Sequence, residues 1–129
     1  MTAYYLLDDI ASYLQTAELG TVGTNIFKGF IPHSPDALIA LFEYSGFPPD
    51  KVASIESPQV QVRVRATGYN DAKAKIISVF SALHLLWETT INSNRYLYVY
   101  ANGSPGFMRR DANGRSEFVQ NFTVIREVD

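Results

Sequence analysis

The stretch Gln59-Val60-Gln61-Val62-Arg63-Val64-Arg65-Ala66 alternates apolar and polar side chains without a break. Successive side chains of an extended chain point to opposite faces, so Val60, Val62 and Val64 share one face. Gln61, Arg63 and Arg65 share the other. A strand with one buried and one polar face is therefore predicted here. Just beyond it, Tyr69-Asn70-Asp71 opens a long helix, with Asn70 as N-cap and Asp71 complementing the helix dipole. Ala72, Ile76, Val79, Phe80, Leu83 and Trp87 trace its apolar stripe, while Lys73, Ser81 and Glu88 fall opposite. This helix is expected to lie across the sheet and supply much of the core.

Working outward, Leu6, Leu7, Ile10, Tyr13, Leu14 and Ala17 mark one face of an N-terminal helix. Thr2 is its candidate N-cap, Asp8 and Asp9 suit its positive end, and Gly20 its stop. A β-like run, Thr24 to Ile31, closes at Pro32. For Asp36 to Tyr44 two readings stand: a short helix capped by Ser34 or Asp36, or a strand buried on both faces. The short, nearly all-apolar run between Pro35 and Ser45-Gly46 favours the strand. Phe47 to Pro58 reads as a proline-rich loop.

After the polar break Asn92-Ser93-Asn94, the chain reads as β to its end. Arg95–Ala101 alternates, Asn102 to Gly106 turns, and Phe107–Arg110 is a short strand. Asp111-Ala112-Asn113-Gly114 signals a hairpin, since Asn-Gly accepts positive φ at low cost. The partner strand, Glu117 to Ile125, places Phe118, Phe122 and Val124 on one face. The order is α-β-β-β-α-β-β-β, an α+β chain without internal repeat, linker or low-complexity segment. Its 129 residues suit a single domain.

Hydrophobic residues make up 47% of the chain, enough for a packed core without metal or disulfide support. Cysteine is absent, which excludes disulfides, thiolate metal sites and Cys nucleophiles and leaves the redox compartment open. A net charge of −2 argues against a dedicated nucleic-acid surface. No apolar run approaches the roughly 20 residues needed to cross a bilayer. Met1 to Asp9 has no basic segment before its apolar residues, so a signal peptide is not expected. The expected place is the cytosol, or something assembled there. Eight Tyr and eight Phe suit either a core or protein contacts that bury a ring with a polar tip.

Catalytic constellations are missing. His33 lies in a loop and His84 in the long helix, with no HxxxH or HExxH spacing, so no metal site is expected. Asp8-Asp9 are adjacent helix-start residues, read as dipole complements in place of an acid/base pair. No GxSxG, P-loop or dinucleotide fingerprint occurs, and Gly20-Thr21-Val22-Gly23 is a connector between helix and strand. No cofactor is expected, and the chain is not expected to be an enzyme.

Arg63, Arg65, Arg109, Arg110 and the adjoining Asp111 are the candidate contact residues. Arginine forks pair bidentately with carboxylates, which favours contact with another protein chain over solvated surface or phosphate binding. Six candidate strands also leave at least two sheet edges unpaired. Identical copies can satisfy those edges head to tail, and such a contact that closes makes a ring.

Val60 to Arg65 followed by Tyr69-Asn70-Asp71-Ala72, the run Ala40 to Pro48, and the Asp111 to Arg115 turn before the Phe118–Val124 strand resemble tail terminator proteins of long-tailed bacteriophages. The resemblance spans nearly the whole chain and carries no catalytic motif. It implies a mixed, mainly antiparallel β-sheet with two main helices packed on it. It further implies a virion protein of the tail or neck, assembled in the host cytoplasm. Such a protein forms a ring, usually of six copies, at the head-proximal end of the tail tube. One ring face binds tube protein and stops polymerisation, the other docks the head connector, and DNA passes through the lumen. By the same resemblance, the Val60–Arg65 strand and the Asp111–Gly114 hairpin are subunit- or tube-contacting elements. The alternative is another neck component, such as a head-completion protein; a nucleic-acid-binding domain is a more distant one.

Overall fold

The computed structural model describes residues 5–50, 52 and 54–127, with backbone alone at 47, 49 and 50. Its elements are helices α1 (Leu6–Thr16) and α2 (Tyr69–Leu83), and strands β1 (Ile26–Lys28), β2 (Leu38–Asp50), β3 (Ile55–Ala66), β4 (Leu86–Ile91), β5 (Asn94–Ala101), β6 (Gly106–Arg110) and β7 (Ser116–Glu127). The sheet order is β1-β2-β3-β7-β5-β4, with β6 beside β7. Strand β1 runs parallel to β2; the other strand pairs are antiparallel. The α+β class and the expected element order stand, and β4 is an additional strand after α2.

Strand β3 lies between β2 and β7, and its alternation sets their register. Val62 pairs with Leu41 on one side and Gln120 on the other; Val64 pairs with Ile39 and Phe118. The valine face is buried under both helices, against Leu6, Ile10 and Leu14 of α1 and Ala72, Ile76, Val79 and Leu83 of α2. Burying each such side chain is worth about 1.5–3 kcal/mol, against about 0.2–1 kcal/mol for a cross-strand pair. The core therefore decides the register: slipping β3 by one residue would drive three polar side chains into it.

Four sequence expectations are corrected. The long helix ends at Leu83, so Trp87 leaves the apolar stripe and stands on β4, 68% exposed. The β-branched run Thr89-Thr90-Ile91 prefers a strand, and Asn92-Ser93, both at positive φ, form a two-residue turn that pairs Ile91 with Asn94. The start of α2 is capped at Gly68 without a side-chain hydrogen bond, so Asn70 is not its N-cap. The proline-rich stretch is mostly not loop, because β2 continues to Asp50 and β3 starts at Ile55. Two register shifts accommodate the prolines, and among the described residues the outer half of β2 has no strand on its far side. A Cβ at Gly46 would sit 1.7 Å from the Ser57 carbonyl oxygen, so only glycine fits that crossing. Finally, β1 is three residues long, shorter than the run Thr24 to Ile31 suggests. Within Asp36 to Tyr44 the strand reading holds from Leu38 onward, with Leu38, Ile39, Ala40 and Leu41 all buried. The candidate cap Thr2 and loop residue Lys51 lie outside the described residues.

Asp8 and Asp9, one expected role between them, have different ones. Asp8 is exposed and pairs with Lys28. Asp9 is buried, and its carboxylate accepts hydrogen bonds from Asn92 Nδ2 (3.0 Å), Asn94 Nδ2 (2.8 Å) and the Tyr96 hydroxyl. The Tyr96 oxygen in turn accepts from Arg126 Nη1 (3.4 Å), and Arg126 Nε donates to Glu56 (2.6 Å). Burial first, then the bond to Asp9, pushes the Tyr96 phenol far above its ordinary pKa, so it remains a neutral donor. This chain of polar groups ties α1 to β5, β7 and β3. Tyr96→Phe removes the donor and leaves Asp9 short of a partner, so unfolding stability at neutral pH should fall by about 1–3 kcal/mol. An unchanged midpoint in urea titration would show that the link contributes nothing.

Candidate functional site

The residues opposite the valine face form rows across the sheet. Leu38, Arg65, Glu117 and Arg109 stand side by side on β2, β3, β7 and β6. Next come Ala40, Arg63 and Val119, then Phe42, Gln61 and Asn121. Both helices pack on the other face, so this outer face is covered by its own side chains and by the loop before β2.

Arg65 is buried and turned inward. Its Nε donates to the Asp36 carbonyl (3.1 Å), and its Nη2 donates to the carbonyls of Pro35 (2.6 Å) and His33 (3.1 Å). Burial, then the nearby Arg115 charge, lowers its pKa from the usual arginine value. Arg115, which the sequence did not single out, also donates to the His33 carbonyl, and it pairs with Asp36 Oδ1 (3.3 Å) and Asp111 Oδ2 (2.8 Å). Two guanidinium groups thus clamp the His33–Asp36 loop onto β3 and β7.

Asp111 belongs to that clamp. Its Oδ1 accepts the backbone N–H groups of Asn113 (3.0 Å) and Arg115 (2.9 Å), closing the turn in which Gly114 takes φ +79°. The backbone N–H of Arg115, then its side chain and the Asn113 N–H, hold the Asp111 carboxyl below its ordinary pKa.

The remaining three arginines face outward to different degrees. Arg109 is exposed, with Nε 3.3 Å from Glu117 Oε2; Glu117 is buried and its Oε1 accepts no bond among the described residues. Arg63 is half-buried, its guanidinium 5.1 Å from the Phe42 ring centroid and its Nε donating to Gln61 Oε1 (2.8 Å). Arg110 is exposed and has no ion pair among the described residues. It rims a hollow lined by Thr67, Tyr69, Phe107, Gly114 and Ser116. There the rings of Tyr69, Phe107 and Phe118 stand 5.1–5.4 Å apart, with Tyr69 and Phe107 about half exposed. This aromatic cluster joins the start of α2 to β6, and sequence periodicity within either element gave no sign of it. What the arrangement offers is cationic surface at Arg63 and Arg109 on the outer face, and on the helix-covered side, where Phe107 pairs with Phe118 and Arg110 with Ser116, an aromatic hollow rimmed by Arg110.

Of the two histidines, His33 lies in the clamped loop and contributes its backbone carbonyl. His84 caps α2 and accepts the Ala101 N–H on Nδ1 (2.9 Å). Among the described residues no group of three or more His, Cys, Asp or Glu could hold a metal ion.

The clamp predicts a pH signature. Because the Asp111 pKa is depressed on folding, its contribution is complete above the unfolded value near 3.8 and is lost as pH falls through the lower folded value. Asp111→Ala should lower the thermal midpoint at neutral pH, and the difference from the unchanged chain should shrink below about pH 3.8. A gap that stays constant into acid would contradict the ion pair.

Comparison with known proteins bears on the family and the fold. The family model described as bacteriophage tail terminator protein matches residues 13–128. A solved chain from the virion of a native gene transfer agent particle superposes with a TM-score of 0.74 at 18% identity, covering 98% of this chain and 100% of that one. A second solved structure matches with a TM-score of 0.58 at 11% identity, covering 95% and 96%. At those identities the structural likeness concerns the fold. No curated protein matches significantly. The family match spans nearly the entire chain, and the chain belongs to the bacteriophage tail terminator family.

Proposed function

We propose that this chain ends the phage tail: six copies form a ring on the head-proximal end of the tail tube. One ring face binds the last tube subunits and stops further addition, and the other receives the head connector. DNA crosses the lumen as cargo only. The protein acts in the tail or neck of the virion, is assembled in the host cytoplasm as a single domain, and carries out no reaction.

The family match over residues 13–128 is the observation that carries this reading. The surface described above supports it. Arg63, Arg109 and Arg110 offer charge to carboxylates of a partner, and the half-exposed rings of Tyr69 and Phe107 lie next to Arg110. Arginine and aromatic side chains are the types enriched where protein contacts concentrate their energy. Arg65 and Asp111 serve the proposal indirectly, by fixing the loop and turn that border this surface.

Purified protein added to polymerising tubes should bind their ends and cut off the growth of tube length, as seen in negative-stain length distributions. Particles lacking it should yield headless tails of runaway length. Tubes that keep growing, or defective particles that instead show heads leaking DNA, would overturn the assignment, the latter in favour of head completion.

A further inference from the structure

The end strands of the sheet differ: among the described residues β4 pairs with β5 alone, whereas the outward N–H and carbonyl of Ile26 on β1 are already bonded to Thr21 and Gly23. An unpaired edge is a template for another strand, and proteins commonly blunt it with charge or cover it. Here both edges carry large apolar groups. On β4, Trp87 is 68% exposed and Leu85, just before the strand, is 57% exposed. Beside β1 lies an apolar groove lined by Val22, Gly23, Ile26, Phe27, Lys28 and Phe30. The rings of Phe27 and Phe30 are 5.4 Å apart, and Phe30 is 55% exposed. One edge therefore has a knob and the opposite edge a hollow.

The pleat places both on the same side. Trp87 pairs with Tyr98 and Tyr98 with Ile125, which stands on the outer face of β7. Phe27 pairs with Ala40 and Ala40 with Arg63, also on the outer face. With the β4 edge set against the 22–30 segment of a neighbour, Trp87 and Phe27 would thus lie on the same side of the sheet. The charges agree: Lys28 lines the groove and Glu88 follows Trp87. Their present partners are Asp8 and Arg95, all four groups being about half exposed. Exposed pairs of this kind contribute little to stability and so are readily re-shared.

We infer that neighbouring copies of this chain join head to tail, with Trp87 of one copy seated in the Val22–Phe30 groove of the next. Because knob and groove are unlike and lie on opposite edges, the contact leaves each copy able to accept another, as a closing ring requires. The inference rests on the ring proposed above and names the contact that builds it.

The test replaces Trp87 with photo-reactive benzoylphenylalanine in the full chain. Light and heavy isotope forms are mixed, then irradiated both concentrated in solution and on tube ends. Cross-links between copies should map to residues 22–30. Attachment to tube protein or to another segment, or no product between copies in either setting, overturns the inference. In parallel, Trp87→Glu and Phe30→Glu, each with an unchanged melting midpoint, should weaken association of copies by at least about tenfold. Mixed together, the two variants retain one intact contact and should form pairs that grow no further in native mass measurement; failure to pair counts against the contact. If tubes are capped but the cross-links lie elsewhere, the inference alone fails. If the unaltered protein does not cap tubes, the proposed function fails, while the solution cross-links still decide this contact.

Discussion

Because Val60, Val62 and Val64 all enter the helix-covered core, Gln61, Arg63 and Arg65 have no choice of side. That single alternation, held between β2 and β7, divides the molecule. One sheet face is spent on folding. The other must satisfy its own polar groups or leave them open to a partner. Arg65 is absorbed by the loop carbonyls, while Arg63 is left half-buried over Phe42 without a carboxylate among the described residues. The division also limits where a partner strand can add: β3, β7 and β5 have neighbours on both sides, while β4, β6 and the outer half of β2 pair on one side only among the described residues.

Polar ties hold the two ends of this arrangement. Near the start of α1, the Asp9–Tyr96–Arg126–Glu56 chain locks the helix to the far sheet edge and to the beginning of β3. At the other end of β3, Arg65 and Arg115 fix the loop before β2, and Asp111 fixes the turn before β7. Removing one member of such a buried set costs more than the pair adds, because the remaining group loses its solvation as well. These ties therefore specify one arrangement of loops and edges, which a protein acting through its surface shape needs.

The fold was legible where structure is local. Period two along β3, helical spacing through Leu83 and Asn-Gly in the last turn each contain their own answer. The end of α2 was not legible, because Leu83 and Trp87 are spaced as if on one helix face. What stops the helix is the pairing of β4 with β5, an interaction absent from that window of sequence. The contact residues were legible by type and not by role. Arg65 and Asp111 are arginine and aspartate in suggestive places, yet their partners include carbonyls and side chains from distant segments such as His33 and Arg115. Asp9 looked like a dipole complement because its acceptors' counterparts, Asn92, Asn94 and Tyr96, are remote in the chain. The exposed edge tryptophan was hidden by the same helical spacing.

Everything functional in this account depends on copies meeting through sheet edges, with the core facing inward and no chemistry at the junction. Electron cryomicroscopy of capped tube ends addresses that claim most directly. A closed ring is expected, in which the β4 edge of each copy lies against the 22–30 segment of its neighbour, Trp87 between them. Copies that meet through the helix-covered face, or a lone copy plugging the tube, would contradict it.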